Sequence, residues 1–114
     1  MSKDCLFCRI AAREIPSEIV FENERIIAFR DINPAAPVHI LVIPKEHIES
    51  VAHLEAEHEA LMGEIVISIQ KLAAQEKLDE GFRIVVNTGR EGGQTISHLH
   101  FHLLGGRNLQ WPPG

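Results

Sequence analysis

The sequence predicts an α+β fold: a five-stranded, mostly antiparallel sheet with one short N-terminal helix and one long helix. Three observations predict it. Over about residues 56–78, Leu61, Ile65, Ile69, Leu72 and Ala73 recur with helical spacing, while Glu57, Glu64, Gln70, Lys71 and Gln75 take the other side. Short β-rich runs bounded by turn residues lie on both sides of that stretch. The run His98-Leu99-His100-Phe101-His102-Leu103-Leu104 alternates imidazole with large apolar side chains, the period of a strand. Strands joined by hairpins, with the helices segregated from them, make an antiparallel sheet.

Each element follows in order. Leu6, Phe7 and Ile10 give a short amphipathic helix over residues 4–13, with Asp4 as its N-cap and Pro16 beyond its end. Ile19-Val20-Phe21 and Ile26-Ile27-Ala28-Phe29 flank a polar turn and read as a hairpin. Asp31 to Pro37 is a loop, because Asn33-Pro34 and Pro37 break regular structure. His39-Ile40-Leu41-Val42-Ile43 is a strand ended by Pro44, and a connection of unfixed form starts at Lys45. The long helix ends at Gly81, and Phe82 to Asn87 forms the next strand. A glycine-rich loop, Thr88 to Thr95, leads into the histidine run.

Composition bounds the function. The chain has 114 residues, 45% hydrophobic and 24% charged, which fits one domain over residues 1–114. A net charge of -5 with interspersed signs argues against nucleic acid or a polybasic membrane contact, while leaving room for a small nucleotide. No apolar run suits a bilayer and no signal-peptide segment follows Met1, so the expected location is the cytoplasm. Both cysteines lie in Cys5-Leu6-Phe7-Cys8, which suggests a metal half-site or reduced thiols before a structural disulfide.

The histidine run carries the chemistry. On a strand His98, His100 and His102 share a face, with neighbours roughly 7 Å apart and the outer pair roughly 13 Å apart. Three such side chains cannot all converge on one ion, so at least one is free for other work. Mutual repulsion keeps the row mostly uncharged near pH 7, and a neutral imidazole serves as nucleophile, base or donor. The glycine-rich loop beside it presents backbone N–H groups, Gln94 and Thr95, a concavity able to hold a phosphate, with Asn87 just before it. His53 and His58 stand among glutamates and read as solvated.

These motifs together resemble the histidine triad (HIT) superfamily. Gly92-Gly93-Gln94 before the run, Leu104-Gly105-Gly106-Arg107 after it and the terminal Trp111-Pro112-Pro113-Gly114 resemble its Hint branch, the purine nucleoside phosphoramidate hydrolases. So do Glu14-Ile15-Pro16, Ala28-Phe29-Arg30-Asp31-Ile32, Pro34-Ala35-Ala36-Pro37-Val38-His39 and Val42-Ile43-Pro44-Lys45-Glu46-His47. The resemblance implies a homodimer whose sheet continues across both subunits. It implies cleavage of P–N or acyl-adenylate bonds in AMP derivatives. His100 matches the nucleophile that becomes nucleotidylated, His102 a phosphate ligand, and His98 with His39 the pair that supports the nucleophile. Asp31 matches the ribose-binding carboxylate, and Leu6, Phe7, Ile10, Phe29 and Ile32 the base pocket. Asn87, Gly93, Gln94 and Thr95 match the phosphate cradle, with Thr95 where the family usually has the serine that serves the leaving group. Cys5 and Cys8, with His47 and His98, match a structural zinc site of some bacterial relatives; no cofactor is implied for the chemistry itself.

Three rival readings stand beside this one. A dinucleoside polyphosphate hydrolase usually has glutamine at the position of His102. A nucleotide-binding interaction module would keep the site without turnover. A metal-dependent hydrolase would use His98 and His100 as ligands of one ion.

Overall fold

The computed structural model describes residues 4–114. Its elements are α1 (Leu6–Ala11), β1 (Ile19–Glu22), β2 (Ile26–Arg30), β3 (Val38–Pro44), α2 (Glu59–Gln75), β4 (Phe82–Val85) and β5 (Phe101–Gly105). The five strands form one sheet in the order β1-β2-β3-β5-β4, and every neighbouring pair is antiparallel. The fold expected from the sequence is therefore the one observed. No helix among the described residues is long and apolar enough to cross a membrane.

Local chemistry explains the ends of these elements. Asn23 closes the first hairpin, its Oδ1 accepting from the N–H groups of Arg25 and Ile26 at 2.9 Å each. The N-cap of α1 is Cys5 and not Asp4: the Cys5 Sγ accepts from the Cys8 N–H at 3.3 Å. The long helix is shorter than its periodicity suggests. A separate 3-10 turn, Ala56–His58, precedes it, and the chain leaves it at Gln75, well before Gly81. Lys77 takes φ 61°, the Leu78 N–H bonds the Ala73 carbonyl at 3.0 Å, and the Lys77 N–H bonds that of Ala74 at 3.1 Å. That closure returns Leu78 to the core, so burial of one side chain ends the helix without a glycine. His58 is buried, contrary to the solvated reading, because its Nδ1 accepts the Glu55 N–H at 2.9 Å.

The sheet is covered on both sides, so β2 and β3 read as continuous apolar runs. Ile26, Ala28, Ile40 and Val42 pack with Leu61, Ile65, Ile69 and Leu72 of α2. Ile27, Phe29, Leu41 and Ile43 face the other way and pack with Phe7 and Ile10 of α1. Leu99, Phe101 and Leu103 join the α2 side.

The histidine run departs from a uniform strand. β5 begins only at Phe101, and β4 stops at Val85 rather than Asn87. His98, Leu99 and His100 precede the ladder, held by a 2.7 Å bond from the Leu99 N–H to the Ile48 carbonyl. The irregular approach lets His98 turn away from His100 while His100 and His102 stay together, their ring centroids 5.0 Å apart.

Candidate active site and metal centre

The tautomers of His100 and His39 follow from their backbone partners, and that of His102 follows from His39. His100 is buried, and its Nδ1 lies 2.7 Å from the carbonyl oxygen of His98. A carbonyl only accepts, so Nδ1 carries the proton and Nε2 keeps its lone pair. His39, on β3, lies diagonally across from His102, whose direct partner in the ladder is Leu41. The Ala35 N–H donates to His39 Nδ1 at 3.0 Å, so the His39 proton is on Nε2. That nitrogen is 2.9 Å from His102 Nδ1 and 3.4 Å from Asp31 Oδ2. The His102 proton is then on Nε2, which is closed to solvent and has no partner. A nucleophilic lone pair and an unspent N–H donor thus stand side by side, on rings in edge contact.

Burial disfavours the charged forms of His102 and His39. It pushes His102 down from 6.5 to about 4, helped by His100 and His39 and opposed by Asp31. It lowers His39 as well, against the pull of Asp31. A depressed pKa means the folded chain refuses protons that the unfolded chain takes up. Stability from these two groups is therefore complete above about pH 6.5 and falls below it, for His102 until the pH reaches about 4. The denaturation midpoint should drop between pH 7 and pH 5, and His102→Asn should flatten that slope. A wild-type slope left unchanged by the substitution would contradict the assignment.

Near the row, Phe7, Ile10 and Phe29 form a buried apolar floor, with the Phe7 and Phe29 rings edge to face at 5.5 Å. Leu6 and Ile32 are exposed, Ile32 at 88%. Asp31 Oδ1 accepts the Asn33 N–H at 2.8 Å. The Gln94 side chain is spent on building the loop: its Oε1 accepts from the Gly89 N–H, and its Nε2 donates to the carbonyls of Glu49 and Ile96. The Gly93 and Gln94 N–H groups close the same loop, on Arg90 and Gly89. Thr95 is exposed and Asn87 half-buried. A Cβ on Gly92 would meet the Thr88 carbonyl oxygen at 2.3 Å, a contact with backbone. Gly92→Ala should cost about 1–3 kcal/mol, read as a lower denaturant midpoint; an unchanged midpoint would show that the loop yields.

The second constellation lies at the N-terminal end of the row. Cys5 Sγ, Cys8 Sγ, His47 Nδ1 and His98 Nδ1 all fall within 4.8 Å of one another. His98 Nδ1 is 3.3 Å from Cys5 Sγ, 3.4 Å from Cys8 Sγ and 3.2 Å from His47 Nδ1, and Cys8 Sγ is 3.2 Å from His47 Nδ1. The His98 Nε2–H donates to the Pro44 carbonyl at 2.9 Å, so Nδ1 offers one lone pair to three close neighbours. Hydrogen bonds cannot satisfy all of them. Tetrahedral bonds of about 2.0–2.3 Å put ligand atoms about 3.3–3.7 Å apart, so the donor set and its spacing fit zinc. Burial and the adjacent Cys5 raise the Cys8 thiol to about 11, and burial lowers His98 to about 4. A cavity of about 370 Å³ opens beside this cluster, bordered by Asp4, Leu6, His47 and Thr95.

The structure thus brings together two groups that the alternating spacing does not separate. His39 supports His102, and only His98 supports His100, through its carbonyl. His98 Nδ1 joins the cysteine cluster, and His100 belongs to no group of candidate metal ligands among the described residues. Two participants escape sequence reasoning, the carbonyl of Pro44 and the N–H of Ala35, while Phe7, expected at the base pocket, also lies edge-on to His100 at 5.0 Å. The two that escape are backbone groups with no side-chain signature, though both sit in the proline-marked segments around the strand that carries His39.

Comparison with known proteins decides the family. Residues 12–109 match the HIT domain. The chain belongs to the HIT domain family. It is similar to a HIT family hydrolase from Legionella pneumophila, with 49% identity, a TM-score of 0.96 and coverage of 97% of this chain and 100% of that one. It is also similar to a histidine triad nucleotide-binding protein from Candida albicans, with 33% identity, a TM-score of 0.81 and coverage of 96% and 83%. A 14 kDa zinc-binding protein of Brassica juncea is 46% identical over 113 residues, covering 97% of this HIT protein and all of its relative. The Cys/His cluster of this family member has a donor set that suits structural zinc.

Proposed function

We propose that this HIT protein is a purine nucleoside phosphoramidate hydrolase, cleaving P–N or acyl-adenylate bonds of AMP derivatives. The observation that carries the reading is the free Nε2 of His100 beside the unpartnered Nε2–H of His102.

His100 Nε2 attacks phosphorus and the bond to the leaving nitrogen breaks. The departing amine takes a proton from solvent, relayed through a hydroxyl that gains one proton as it gives one, for which Thr95 is the nearest match by sequence position. The nucleotidyl group is left on a cationic imidazole whose Nδ1–H still bonds the His98 carbonyl, and that bond strengthens as the ring gains charge. His102 Nε2–H donates to a phosphate oxygen, where negative charge builds. Water then displaces the imidazole, giving AMP and the resting ring. Asp31 takes the ribose, the Phe7, Ile10 and Phe29 floor takes the purine with Leu6 and Ile32 at its edge, and the loop of Asn87, Gly93 and Gln94 borders the phosphate. His39 fixes the donor state of His102. Threonine at 95 restricts the hydroxyl's rotamers, so leaving-group preference should differ from that of serine-bearing relatives.

Zinc held by Cys5, Cys8, His47 and His98 would be structural, a closed set of four ligands. A homodimer is supported by the edge position of β4, where Phe82 and Ile84 are exposed, and by exposed Val66, Ile67 and Trp111. Reduced thiols at this cluster suit the cytoplasm.

Initial rates on adenosine 5′-phosphoramidate, an aminoacyl adenylate and a diadenosine polyphosphate test the assignment. The first two should turn over with kcat/KM at least about tenfold above the third. A preference for the polyphosphate would move the protein to the rival hydrolase branch, and binding without turnover of any would make it an interaction module.

A further inference from the structure

We propose that the Cys5, Cys8, His47 and His98 cluster, when it holds zinc, is the frame that orients the nucleophile, which makes Cys5, Cys8 and His47 positioning residues for His100. This rests on the zinc reading and on His100 as the reacting group.

Two physical connections run from the cluster to His100. The first passes through a single residue. The His98 ring is held at both nitrogens, by the Pro44 carbonyl and by the cluster, while its own carbonyl takes the Nδ1–H of His100 at 2.7 Å. No sheet ladder holds this peptide, because β5 starts at Phe101. Only the Leu99 N–H bond to Ile48 and the anchored ring fix where that carbonyl points. The second connection is Phe7, placed between the two cysteines on α1. Its ring lies edge-on to His100 at 5.0 Å and to His98 at 6.0 Å. A helix of six residues is not stable by itself, so its position depends on what Cys5 and Cys8 hold.

The cluster cannot keep its geometry without an ion. His98 Nδ1 has one lone pair and three neighbours at 3.2–3.4 Å. One S–H can satisfy it; the other sulfur and His47 must then move apart or accept unfilled contacts in a partly buried site. Any such shift is passed to the His98 main chain and to Phe7. The 370 Å³ cavity bordered by His47 and Cys5 gives solvent a route to the ion, so it can be removed without unfolding the sheet.

The test compares zinc-loaded and chelator-stripped full-length protein, with bound zinc counted and circular dichroism recording the fold. Long-range proton–nitrogen correlation of the ¹⁵N-labelled imidazoles reads His100 directly and needs no turnover. In the loaded protein, His100 should show one tautomer, with a slowly exchanging Nδ1 proton. Stripping should broaden that proton and mix the tautomers, and kcat should fall by about 10- to 100-fold with KM changed less than about threefold. His47→Ala, which keeps three ligands and alters an exposed side chain, should do the same at zinc levels that saturate the wild type, and it serves if stripping unfolds the chain. His47→Cys, which restores a fourth ligand, should recover the His100 signal. Zinc loss that leaves both the His100 signal and kcat per folded molecule unchanged would overturn the coupling. Failure to take up zinc at all would overturn the metal reading and the coupling together. Altered His100 signals in a protein that cleaves no phosphoramidate would keep the coupling and reject only the activity.

Discussion

His100→Ala should reduce turnover of adenosine 5′-phosphoramidate by a factor on the order of 10⁴ or more, while AMP binds within a few-fold of the wild type. The reasoning is chemical. Nε2 of His100 is the lone pair that the hydrogen-bond pattern leaves free, while His39 and His102 pair with each other and the His98 ring is held by the Pro44 carbonyl and the cysteine cluster. Removing that lone pair deletes the covalent route, and a residual rate then comes only from positioning a direct attack by water. On the proposed reading, nucleotide binding draws on the Phe7, Ile10 and Phe29 floor and on His102, which the substitution leaves in place. Single-turnover kinetics and calorimetric titration with AMP separate the two effects. Turnover above about one per cent of wild type would mean that another group attacks phosphorus.

His102→Ala should slow the chemical step by about 10²–10³-fold, the usual cost of removing one donor aimed at developing charge. The closed, unpartnered Nε2–H is the reason to expect so large a loss. In the free protein it is a buried donor with no acceptor, and a phosphate oxygen supplies the missing partner. His39→Leu should have a smaller effect in the same direction, because it removes the bond that keeps the His102 proton on Nε2 without removing the donor itself. Rates at saturating substrate distinguish the pair. Equal losses for both would show that His39 acts on substrate directly and not through His102.

Much of this was legible in the chain, for identifiable reasons. The two faces of β5 were readable because strand period and chemistry coincide: Leu103 and Phe101 had one use, and the imidazoles another. The hairpin of β1 and β2 was readable because Asn23 is a turn residue whose side chain does the closing. The end of α2 was not, since Lys77 adopts a left-handed conformation that no local preference signals and that only the burial of Leu78 repays. His58 was misread because its partner is the main chain of Glu55, invisible in a row of glutamates. The largest gap concerns His98. Spacing groups it with His100 and His102, and only the family resemblance set it beside Cys5, Cys8 and His47, to which the irregular segment before Phe101 turns its ring. Regular geometry could not show that one residue serves the metal cluster with its ring and the nucleophile with its carbonyl. Gln94 is a similar case: its amide reads as a phosphate donor in sequence, and in the fold it is consumed by Glu49 and Ile96.

The central claim is that a nucleotide becomes covalently attached to the ring of His100. Enzyme mixed with adenosine 5′-phosphoramidate and quenched in base within one turnover should give a peptide containing position 100 heavier by one adenylyl group, and the adduct should form and decay at rates that account for steady-state turnover. AMP formed at the full rate with no such adduct at any time would contradict the account.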